Sequence, residues 1–387
     1  MRILHVTPSV GPLRGGPSFV IRTVTQGLVR AGCEVEVACT DDNGPERLMV
    51  PTGKPVSEGG IPYWYFPRQL PFYNVSLPFG QWIRAAAKRF DLIHIHALFS
   101  YCPTVTALAA RSIGVPYVVR PLGVLNRWGM ENRHPGLKKL SLRYLEGPII
   151  ESAAAMHFTS QMECDEANTL GYSFHPEIIP NPVQIPTIGH QRGYLRSKYP
   201  QLRDKTIALF LSRIDQKKGL DLLFPAIAKL RAQGQPIALV IAGSGTEEAM
   251  AAARTLQQAS GLGAKDVTWV GFVEGEDKVA VLDDSDIYVL PSYSENFGVS
   301  VVEAMARSLP VLITDQVALG DEVRGAGAGL VVGCHVEELT AAIRQLAGSP
   351  ELRRSCGERG ARLAQSFSPE SISRRIVSMY EKLLSVQ

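Results

Sequence analysis

The 387-residue chain lacks several features that would assign it to a class at once. Its six cysteines include no C-x-x-C pair, so the sequence indicates neither a zinc site nor a redox pair. No uninterrupted apolar run approaches the roughly 20 residues that cross a bilayer, and the N-terminus shows no signal-peptide pattern. The formal net charge of +3 is far from the lysine and arginine excess of a nucleic-acid binder. These absences predict a cytoplasmic protein with reduced thiols that does not bind nucleic acid.

The composition is that of a soluble globular protein, with 45% apolar and 20% charged residues. Short runs rich in valine, isoleucine and leucine alternate with amphipathic stretches, which is typical of βαβ units with a parallel sheet buried on both faces. The length favours two such domains. The predicted strands are Ile3–Val6, Val35–Cys39, Leu92–Ile95, Tyr117–Val119, Met156–Phe158, Ile178–Ile179, Ile207–Leu211, Ala238–Ile241, Val267–Val270, Ile287–Leu290 and Val311–Ile313.

Four segments complete the predicted organisation. The first helix is predicted over Ser18–Ala31, with its first residue as the N-cap and Gly32 as its stop. The stretch Tyr63–Trp82 is rich in aromatic residues and prolines without a clean period, so we interpret it as an irregular excursion over the first domain. Periodicity also fails around Pro180–Pro186, which we interpret as the start of a connector between the domains. The segment 369–384 has one apolar face and predicts a terminal helix that docks on a domain.

Two glutamates eight positions apart carry the strongest functional signal. Glu295 lies in a turn-forming segment after an apolar run, and Glu303 lies in the first turns of the helix that follows. We expect both side chains to face one crevice, where carboxylates bind hydroxyl groups through short, strong hydrogen bonds. The backbone N–H groups of Asn296, Phe297 and Gly298 add donors beside the first glutamate. The pattern predicts a polyol site, and the alternative is two acids that serve only a turn and a helix N-terminus.

A loop with two cations lies upstream, in the same strand, loop and helix layout. Arg213 offers a planar fork that matches phosphate oxygens, and Lys218 offers a mobile point charge, so the pair suits a pyrophosphate. Gly219 lets the next helix begin without a clash, and Gly243 follows another strand, where it either lines the same cleft or forms a plain turn. The alternative for the two cations is solvated surface charge. Carboxylates for a polyol and cations for a pyrophosphate together predict a site for a sugar nucleotide.

The loop after the first strand contains the glycine pair Gly15 and Gly16. Without side chains there, backbone N–H groups and the helix N-terminus can approach an anion closely, so a pyrophosphate would fit. The alternative is a flexible turn that needs glycine for a positive φ. The loop lacks G-x-G-x-x-G, so it does not support a nicotinamide site.

A His-x-His pair ends the third predicted strand, at the sheet edge where parallel sheets bind ligands. His94 and His96 lie on the same side of that strand. Such a pair suggests a metal, but the sequence shows no third ligand at a suitable spacing, so we predict no metal site. We take His96 as a hydrogen-bonding residue that faces the ligand, with a structural histidine as the alternative.

A basic amphipathic segment follows at residues 136–145. Two interpretations stay open: the segment lies on anionic lipid, or it is a surface helix whose apolar face packs in the core. The apolar face consists of Leu137, Leu140 and Tyr144, its borders carry Lys138, Lys139 and Arg143, and it is preceded by Arg127, Arg133 and His134.

Taken together, these motifs resemble the GT4 family of retaining glycosyltransferases, which have the GT-B fold. The resemblance implies two Rossmann-like parallel-sheet domains that face each other across a cleft, with the C-terminal helix crossing back to the N-terminal domain. It also implies that residues 1–185, with helix 369–387, bind the acceptor and that residues 200–368 bind the nucleotide sugar. The motifs that carry it are Gly15–Gly16, His96, Arg213 with Lys218, and the spacing of Glu295 and Glu303.

The resemblance implies a role for each matched residue. Arg213 and Lys218 would bind the donor diphosphate, and Glu295 would bind the donor sugar. Glu303 would bind the ribose, Gly16 the phosphate, and His96 the sugar or the reaction centre. We therefore expect catalysis from His96, Arg213, Lys218 and Glu295, and nucleotide-sugar binding from Gly15, Gly16, Gly243, Asn296, Phe297, Gly298 and Glu303.

The expected activity is metal-independent transfer of a hexosyl group, with retention, from a UDP- or GDP-sugar to a saccharide or lipid-linked saccharide. The resemblance implies no cofactor beyond this co-substrate, and a role in cell-surface polysaccharide or glycolipid biosynthesis. We expect a cytoplasmic location, with contact at the inner face of the cell membrane left open. Two alternatives remain: a sugar-nucleotide epimerase of GT-B fold, and a catalytically inactive subunit that binds a nucleotide sugar.

Overall fold

This computed structural model describes residues 1–125, 135–185 and 193–385. The chain divides into two compact units. Unit 1 comprises Met1–Pro182 and Pro369–Gln387, and unit 2 comprises Val183–Ser368. Most of the polar stretch interpreted as the connector, at residues 186–192, lies outside the described residues.

Unit 1 is built on a mostly parallel sheet of eight strands. Its strands, with a separate ribbon formed by β3 and β4, are β1 (Arg2–Val6), β2 (Glu34–Thr40), β3 (Asp42–Asn43), β4 (Glu46–Arg47), β5 (Pro55–Glu58), β6 (Ile61–Phe66), β7 (Leu92–His96), β8 (Tyr117–Arg120), β9 (Ala155–Phe158) and β10 (Pro176–Ile178). The order across the sheet is β10-β9-β8-β7-β1-β2-β6-β5, and only β5 and β6 pair antiparallel within it. The apolar runs of the sequence form its central strands because helices cover both faces.

Unit 2 contains a fully parallel sheet of six strands in the order β13-β12-β11-β14-β15-β16. They are β11 (Thr206–Leu211), β12 (Ile237–Ala242), β13 (Val267–Gly271), β14 (Ile287–Leu290), β15 (Val311–Thr314) and β16 (Gly329–Val332). Five of them coincide with predicted strands. The sixth, β16, was not predicted; it is a half-buried edge strand of only four residues, so its apolar signal is weak.

Helices cover both sheets. In chain order they are α1 (Gly16–Arg30), α2 (Leu77–Ala86), α3 (Tyr101–Ile113), α4 (Pro135–Ser141), α5 (Gly147–Glu151), α6 (Gln161–Asn168), α7 (Tyr194–Lys198), α8 (Leu220–Ala232), α9 (Glu247–Ala259), α10 (Gly275–Asp284), α11 (Val299–Ala306), α12 (Gly320–Ala326), α13 (Val336–Gly348), α14 (Pro350–Gln365) and α15 (Pro369–Ser385). Across the described ranges, none is both long and apolar enough to span a bilayer.

Helix α15 belongs to unit 1, as predicted for the terminal helix. Its buried residues Ile372, Ile376 and Met379 share one core cluster with residues of α1, β1 and β2. The two helices cross closely, since a Cβ on Gly27 of α1 would lie 2.0 Å from the hydroxyl oxygen of Ser373. Hydrophobic burial along this face therefore fixes α15 on unit 1.

Two local predictions are wrong. The stretch Tyr63–Trp82 is not an irregular excursion, because it contains the end of β6 and the start of α2. In β6 the buried residues Ile61, Tyr63 and Tyr65 alternate with half-buried ones, a period of two that the bulky aromatic residues obscured in the sequence. Ser18 is not the N-cap of α1: the helix begins at Gly16, and the hydroxyl of Ser18 donates to the carbonyl of Gly11 at 2.8 Å.

Candidate active site

The central contact of unit 2 joins the two motifs that the sequence places 77 residues apart: Lys218 Nζ donates to a carboxylate oxygen of Glu295. Lys218 ends a short 3₁₀ turn, Gln216–Lys218, which follows β11 and is capped by the side chain of Asp215. The lysine is 8% exposed, so its ammonium group is held against the carboxylate rather than dispersed in solvent. The predicted proximity of the cationic loop and the acidic loop is therefore observed for this pair.

The two loops are also locked together through their backbones. The N–H of Tyr293 donates to the carbonyl of Lys217 at 2.8 Å. Gly219 has φ +70, and a Cβ there would lie 1.9 Å from the carbonyl oxygen of Pro291. Only glycine meets both requirements, so the loop after β11 can approach the loop after β14 as closely as it does.

Glu295 is fixed by a short parallel bridge to the segment after β15. Its N–H donates to the carbonyl of Gln316 at 3.0 Å, and its carbonyl accepts from the N–H of Ala318 at 2.9 Å. Gly298, with φ +86, then starts α11. These hydrogen bonds fix the main chain of Glu295 without involving its carboxylate.

The residues that follow Glu295 divide into two kinds. Asn296 is half-buried, whereas Phe297 is 3% exposed and packs its ring edge-to-face against Phe367 at 5.7 Å between centroids. The side chain of Phe297 therefore belongs to the core of unit 2, and only its backbone remains a candidate for ligand binding.

Glu303, on α11, forms an ion pair with Lys278 of α10, whose Nζ lies 2.7 Å from a carboxylate oxygen. Burial and the charges of Glu295 and Glu303 both raise the pKa of the Tyr288 hydroxyl, which a hydrogen bond with Ser300 opposes. Both carboxylates therefore affect the pKa of the same hydroxyl group in unit 2. The sequence did not reveal Lys278, because a lysine in an exposed helical pattern carries no signal for a partner 25 residues away.

Arg213 lies in the same loop as Lys218 but is exposed. Burial lowers the pKa of Lys217, and the positive charges of Lys218 and Arg213 act in the same direction, so three cations share this edge of the sheet. Gly243, with φ +147, contacts this loop through its backbone: a Cβ there would lie 1.9 Å from the carbonyl oxygen of Ser212. Gly243 therefore allows close packing against the loop after β11.

In unit 1, the glycine pair follows β1 at the start of α1. Gly15 has φ +74, and a Cβ on Gly15 or Gly16 would meet nothing within 4 Å, so the backbone lies open to an approaching group. The preceding turn is held by Arg14, which donates to both carboxylate oxygens of Asp42 at 2.7 and 2.8 Å. Arg68 donates to the same buried carboxylate. Asp42, which the sequence analysis missed, therefore fixes the position of the glycine loop.

His96 is the last residue of β7 and is 2% exposed. Its Nε2 lies 2.9 Å from Nδ1 of His5 on β1, and His94 and His157 extend the cluster through the core. The third histidine that the sequence did not supply is His5: nitrogens of His5, His94 and His96 all lie within 4.8 Å of one another. Sequence spacing could not show this, because β1 and β7 are neighbours only in the folded sheet.

The backbone is strained just beyond this cluster. Ala97 and Phe99, after β7, have φ of +70 and +54, and Leu122, after β8, has φ +57. Non-glycine residues in this region cost roughly 1–3 kcal/mol each and concentrate at functional sites. The carboxyl edge of the unit 1 sheet therefore carries strain beside His96.

The basic segment exposes its apolar face. Leu137, Leu140 and Tyr144 are 54%, 57% and 63% exposed, so the interpretation that packs them in the core is wrong. The 3₁₀ turn Phe72–Asn74 is tied to the residue that directly follows this segment, because the hydroxyl of Tyr73 donates to Glu146. The basic residues Arg127, Arg133 and His134 lie outside the described residues.

Comparison with known families assigns both units. Residues 15–182 match the model of the glycosyl transferase 4-like domain, and residues 193–363 match the model of glycosyl transferases group 1. The chain belongs to the GT4 family of glycosyltransferases. The family predicted from the motifs is therefore confirmed, and the enzyme class with it.

Relatives of this glycosyltransferase match either nearly all of the chain or half of it. It is 26% identical to a D-inositol 3-phosphate glycosyltransferase of Jonesia denitrificans, over 99% of this chain and 95% of the relative. It is 29% identical to an alpha-D-kanosaminyltransferase of Streptomyces kanamyceticus, over 50% of each chain.

Solved structures of similar fold confirm the GT-B architecture. Sucrose-phosphate synthase from Thermosynechococcus elongatus covers 100% of both chains with a TM-score of 0.76 at 21% identity. The Anabaena protein HepE, in complex with UDP and glucose, covers 99% of this chain and 100% of its own with a TM-score of 0.76 at 18% identity.

Proposed function

We propose that this glycosyltransferase moves a hexosyl group, with retention and without a metal, from a nucleotide-diphosphate sugar to a saccharide or lipid-linked saccharide. The contact between Lys218 and Glu295 carries the proposal, because it joins a cation for the diphosphate to a carboxylate for the sugar. We further propose that unit 2 binds the donor and that unit 1 binds the acceptor. This activity fits the biosynthesis of cell-surface polysaccharide or glycolipid by a cytoplasmic enzyme.

The chemistry requires charge stabilisation at the leaving group. The bond between the anomeric carbon and the diphosphate oxygen breaks, an acceptor hydroxyl oxygen bonds to the same face of that carbon, and the hydroxyl proton passes to the leaving phosphate. Negative charge grows on the diphosphate as this happens, and Arg213 and Lys218 are the groups proposed to stabilise it. Preorganised donors aimed at developing charge contribute about 3–4 kcal/mol each in measured enzymes.

The donor is proposed to be a UDP- or GDP-sugar. The HepE structure with UDP and glucose, on a similar fold, supports the uridine nucleotide. A thermal-shift screen with UDP-, GDP- and ADP-sugars tests this, because a ligand that binds the folded protein raises its apparent stability. No shift with any nucleotide sugar would contradict the proposed donor class.

Retention and metal independence need their own measurements. Proton NMR of the first product formed reports whether the new glycosidic bond keeps the donor's anomeric configuration. Equal turnover before and after exhaustive chelation would support a metal-independent reaction, and loss of turnover restored by a divalent cation would contradict it.

Release of nucleoside diphosphate distinguishes the proposed transferase from the two alternatives, an epimerase and an inactive binding subunit. A transferase releases it at a rate that depends on the acceptor, whereas an epimerase converts the donor without an acceptor. An inactive subunit binds the donor and converts nothing. Lys218 and Glu295 in contact favour the transferase, because a binding subunit has no need of groups aimed at a leaving phosphate.

The acceptor is proposed to lie at a membrane surface. The exposed face of Leu137, Leu140 and Tyr144, bordered by Lys138 and Lys139, combines apolar area with positive charge, which suits an anionic bilayer. The name of the Jonesia relative offers a second acceptor class, a phosphorylated cyclitol. Assays with lipid-linked saccharides and with soluble inositol phosphate distinguish the two.

A further inference from the structure

A chain of four histidines and one tyrosine crosses the core of unit 1. His5 lies on β1, His94 and His96 on β7, His157 on β9, and Tyr380 on α15. All five side chains are buried. The hydrogen bonds among them form one unbranched series from the carbonyl of Ile179 to His96.

The direction of this series is fixed at its far end. A backbone carbonyl only accepts, so Nε2 of His157, 2.7 Å from the oxygen of Ile179, must carry a proton. Burial lowers the pKa of all four histidines, that of His5 to about 3, so each ring is neutral and carries one proton. Nδ1 of His157 is therefore an acceptor, and it accepts from Nε2 of His94 at 3.3 Å.

The positions of the remaining protons follow in turn from the donor assigned to His94. Nδ1 of His94 carries no proton, so the Tyr380 hydroxyl donates to it at 2.6 Å. The Tyr380 oxygen then accepts from Nε2 of His5 at 3.4 Å, which leaves Nδ1 of His5 as an acceptor. Nε2 of His96 must supply the proton for that last bond of 2.9 Å. By this count Nδ1 of His96 is an acceptor too, and it is the one acceptor nitrogen to which no member of the series donates.

We propose that Tyr380 and the three other histidines are positioning residues that hold His96 as the Nε2–H tautomer, so that its Nδ1 accepts a hydrogen bond from a substrate hydroxyl. The order of protons stands on the geometry of unit 1, and the hydroxyl ligand rests on the proposed function. A neutral imidazole exists in either tautomer. Here the hydrogen bond to Nδ1 of His5 fixes the proton on Nε2 of His96, as in other histidine sites where a partner sets the tautomer. Tyr380 on helix α15 thereby helps to determine which ring nitrogen of His96 accepts a hydrogen bond.

A metal held by His5, His94 and His96 is the competing interpretation. Nitrogens that bind one tetrahedral zinc at about 2.05 Å lie about 3.3 Å apart, whereas His5 and His96 approach to 2.9 Å, which is a hydrogen-bond distance. The charge of Arg120 also lowers the pKa of His5, His94, His96 and His157, so it acts against a second cation there.

NMR of the imidazole nitrogens, in the full-length protein labelled with ¹⁵N-histidine, tests the proton order directly. NMR is expected to show Nε2 of His96 protonated and Nδ1 with the shift of an unprotonated nitrogen. His96→Gln assigns these signals by removing them. A proton on Nδ1 of His96, or one equivalent of zinc per purified chain by elemental analysis, would overturn the proposal.

Turnover of two tyrosine variants tests the positioning role. Tyr380→Phe is expected to lower kcat/KM about tenfold, as for loss of one hydrogen-bonded orienting group, and to lower it no further in a His96→Gln background. The matched control is Tyr117→Phe, which also removes a buried hydroxyl of unit 1, one that donates to Ile149 at 2.8 Å, and should keep full activity.

Equal losses from Tyr380→Phe with and without His96 would mean that the tyrosine only supports the fold, and would refute the positioning role. If Tyr380→Phe does not fold, the spectrum of the wild-type protein still decides the proton order. A protein that binds and converts no nucleotide sugar would contradict the proposed function, whereas the spectrum judges the histidine series independently.

Discussion

Lys218 and Glu295 form an ion pair within unit 2, with 10% and 23% of their side chains exposed. The pair joins the loop after β11 to the loop after β14, so each charge is held in place before any ligand arrives. Removal of either partner leaves the other charge partly buried and unpaired.

Replacement of the lysine is expected to slow the reaction more than it weakens binding. In Lys218→Ala, the cation proposed to stabilise the leaving diphosphate is lost, and kcat should fall about 100- to 1000-fold, with a smaller change in donor affinity. Steady-state kinetics with calorimetric donor binding measure the two effects. The control is Lys229→Ala, which removes an exposed ion pair with Glu337 in the same unit and should leave kcat unchanged. Turnover near wild type in Lys218→Ala would contradict the role.

The approach of the two loops depends on Gly219. Gly219→Ala is expected to destabilise unit 2, because the new methyl group would overlap the carbonyl of Pro291. Gly234 is the matched control: it has φ +77, but a methyl group there would meet no atom within 4 Å, so Gly234→Ala incurs only the backbone cost of about 1 kcal/mol. We expect Gly219→Ala to cost a further ~1–3 kcal/mol, as for overpacking. Equal losses in urea unfolding would show that the loops adjust freely.

The buried histidines make stability depend on pH. Burial lowers the pKa of His5 to about 3 and the pKa of His94, His96 and His157 well below 6.5. Below pH 6.5 the unfolded chain binds protons that the folded chain does not, so stability falls as the pH drops. Between pH 7 and pH 5 the expected loss is roughly 2 kcal/mol for each histidine that stays neutral when folded.

Urea unfolding at the two pH values measures this loss. His157→Gln should reduce the difference because it removes one of these groups, whereas His175→Gln, at an exposed position, should preserve it. A free energy of unfolding that is the same at pH 7 and pH 5 would be incompatible with neutral buried histidines.

Anionic vesicles are expected to bind the protein through the exposed face formed by Leu137, Leu140 and Tyr144. Each lysine near an anionic surface contributes about 1 kcal/mol, so Lys138→Gln with Lys139→Gln should weaken binding about 30-fold. Leu140→Ser should also weaken binding, whereas Leu108→Ser, at an exposed leucine of α3, is the control. Sedimentation with phosphatidylglycerol vesicles at two salt concentrations measures it. A wild-type protein that ignores such vesicles would refute the membrane proposal.

The sequence predicted most of the fold because apolar runs report burial directly. All six predicted strands of unit 1 and all five of unit 2 exist, and no predicted end differs from the observed one by more than two residues. The hairpin of β5 and β6 was missed because its residues lie at a sheet edge and combine proline, tryptophan and tyrosine, which give no simple apolar run. Propensity alone cannot identify such strands, since their pairing partner supplies the burial.

The candidate site was predictable only where its residues directly follow strands that the sequence shows. Glu295 and Lys218 were visible because each follows an apolar strand, and parallel strands bring their carboxyl ends to one edge. His5, Asp42 and Lys278 were not, because each acts on a residue that is distant in sequence and adjacent only after folding. A polar residue in the middle of an apolar strand, such as His5 between Leu4 and Val6, was the available signal for the histidine series.

Because α15 follows unit 2 in the chain, unit 1 cannot finish its core during synthesis until unit 2 has emerged from the ribosome. Until then the surface of α1 around Gly27 stays uncovered, and the histidines lack the phenol that orders their protons. The core of unit 1 is therefore completed only after unit 2 has been translated.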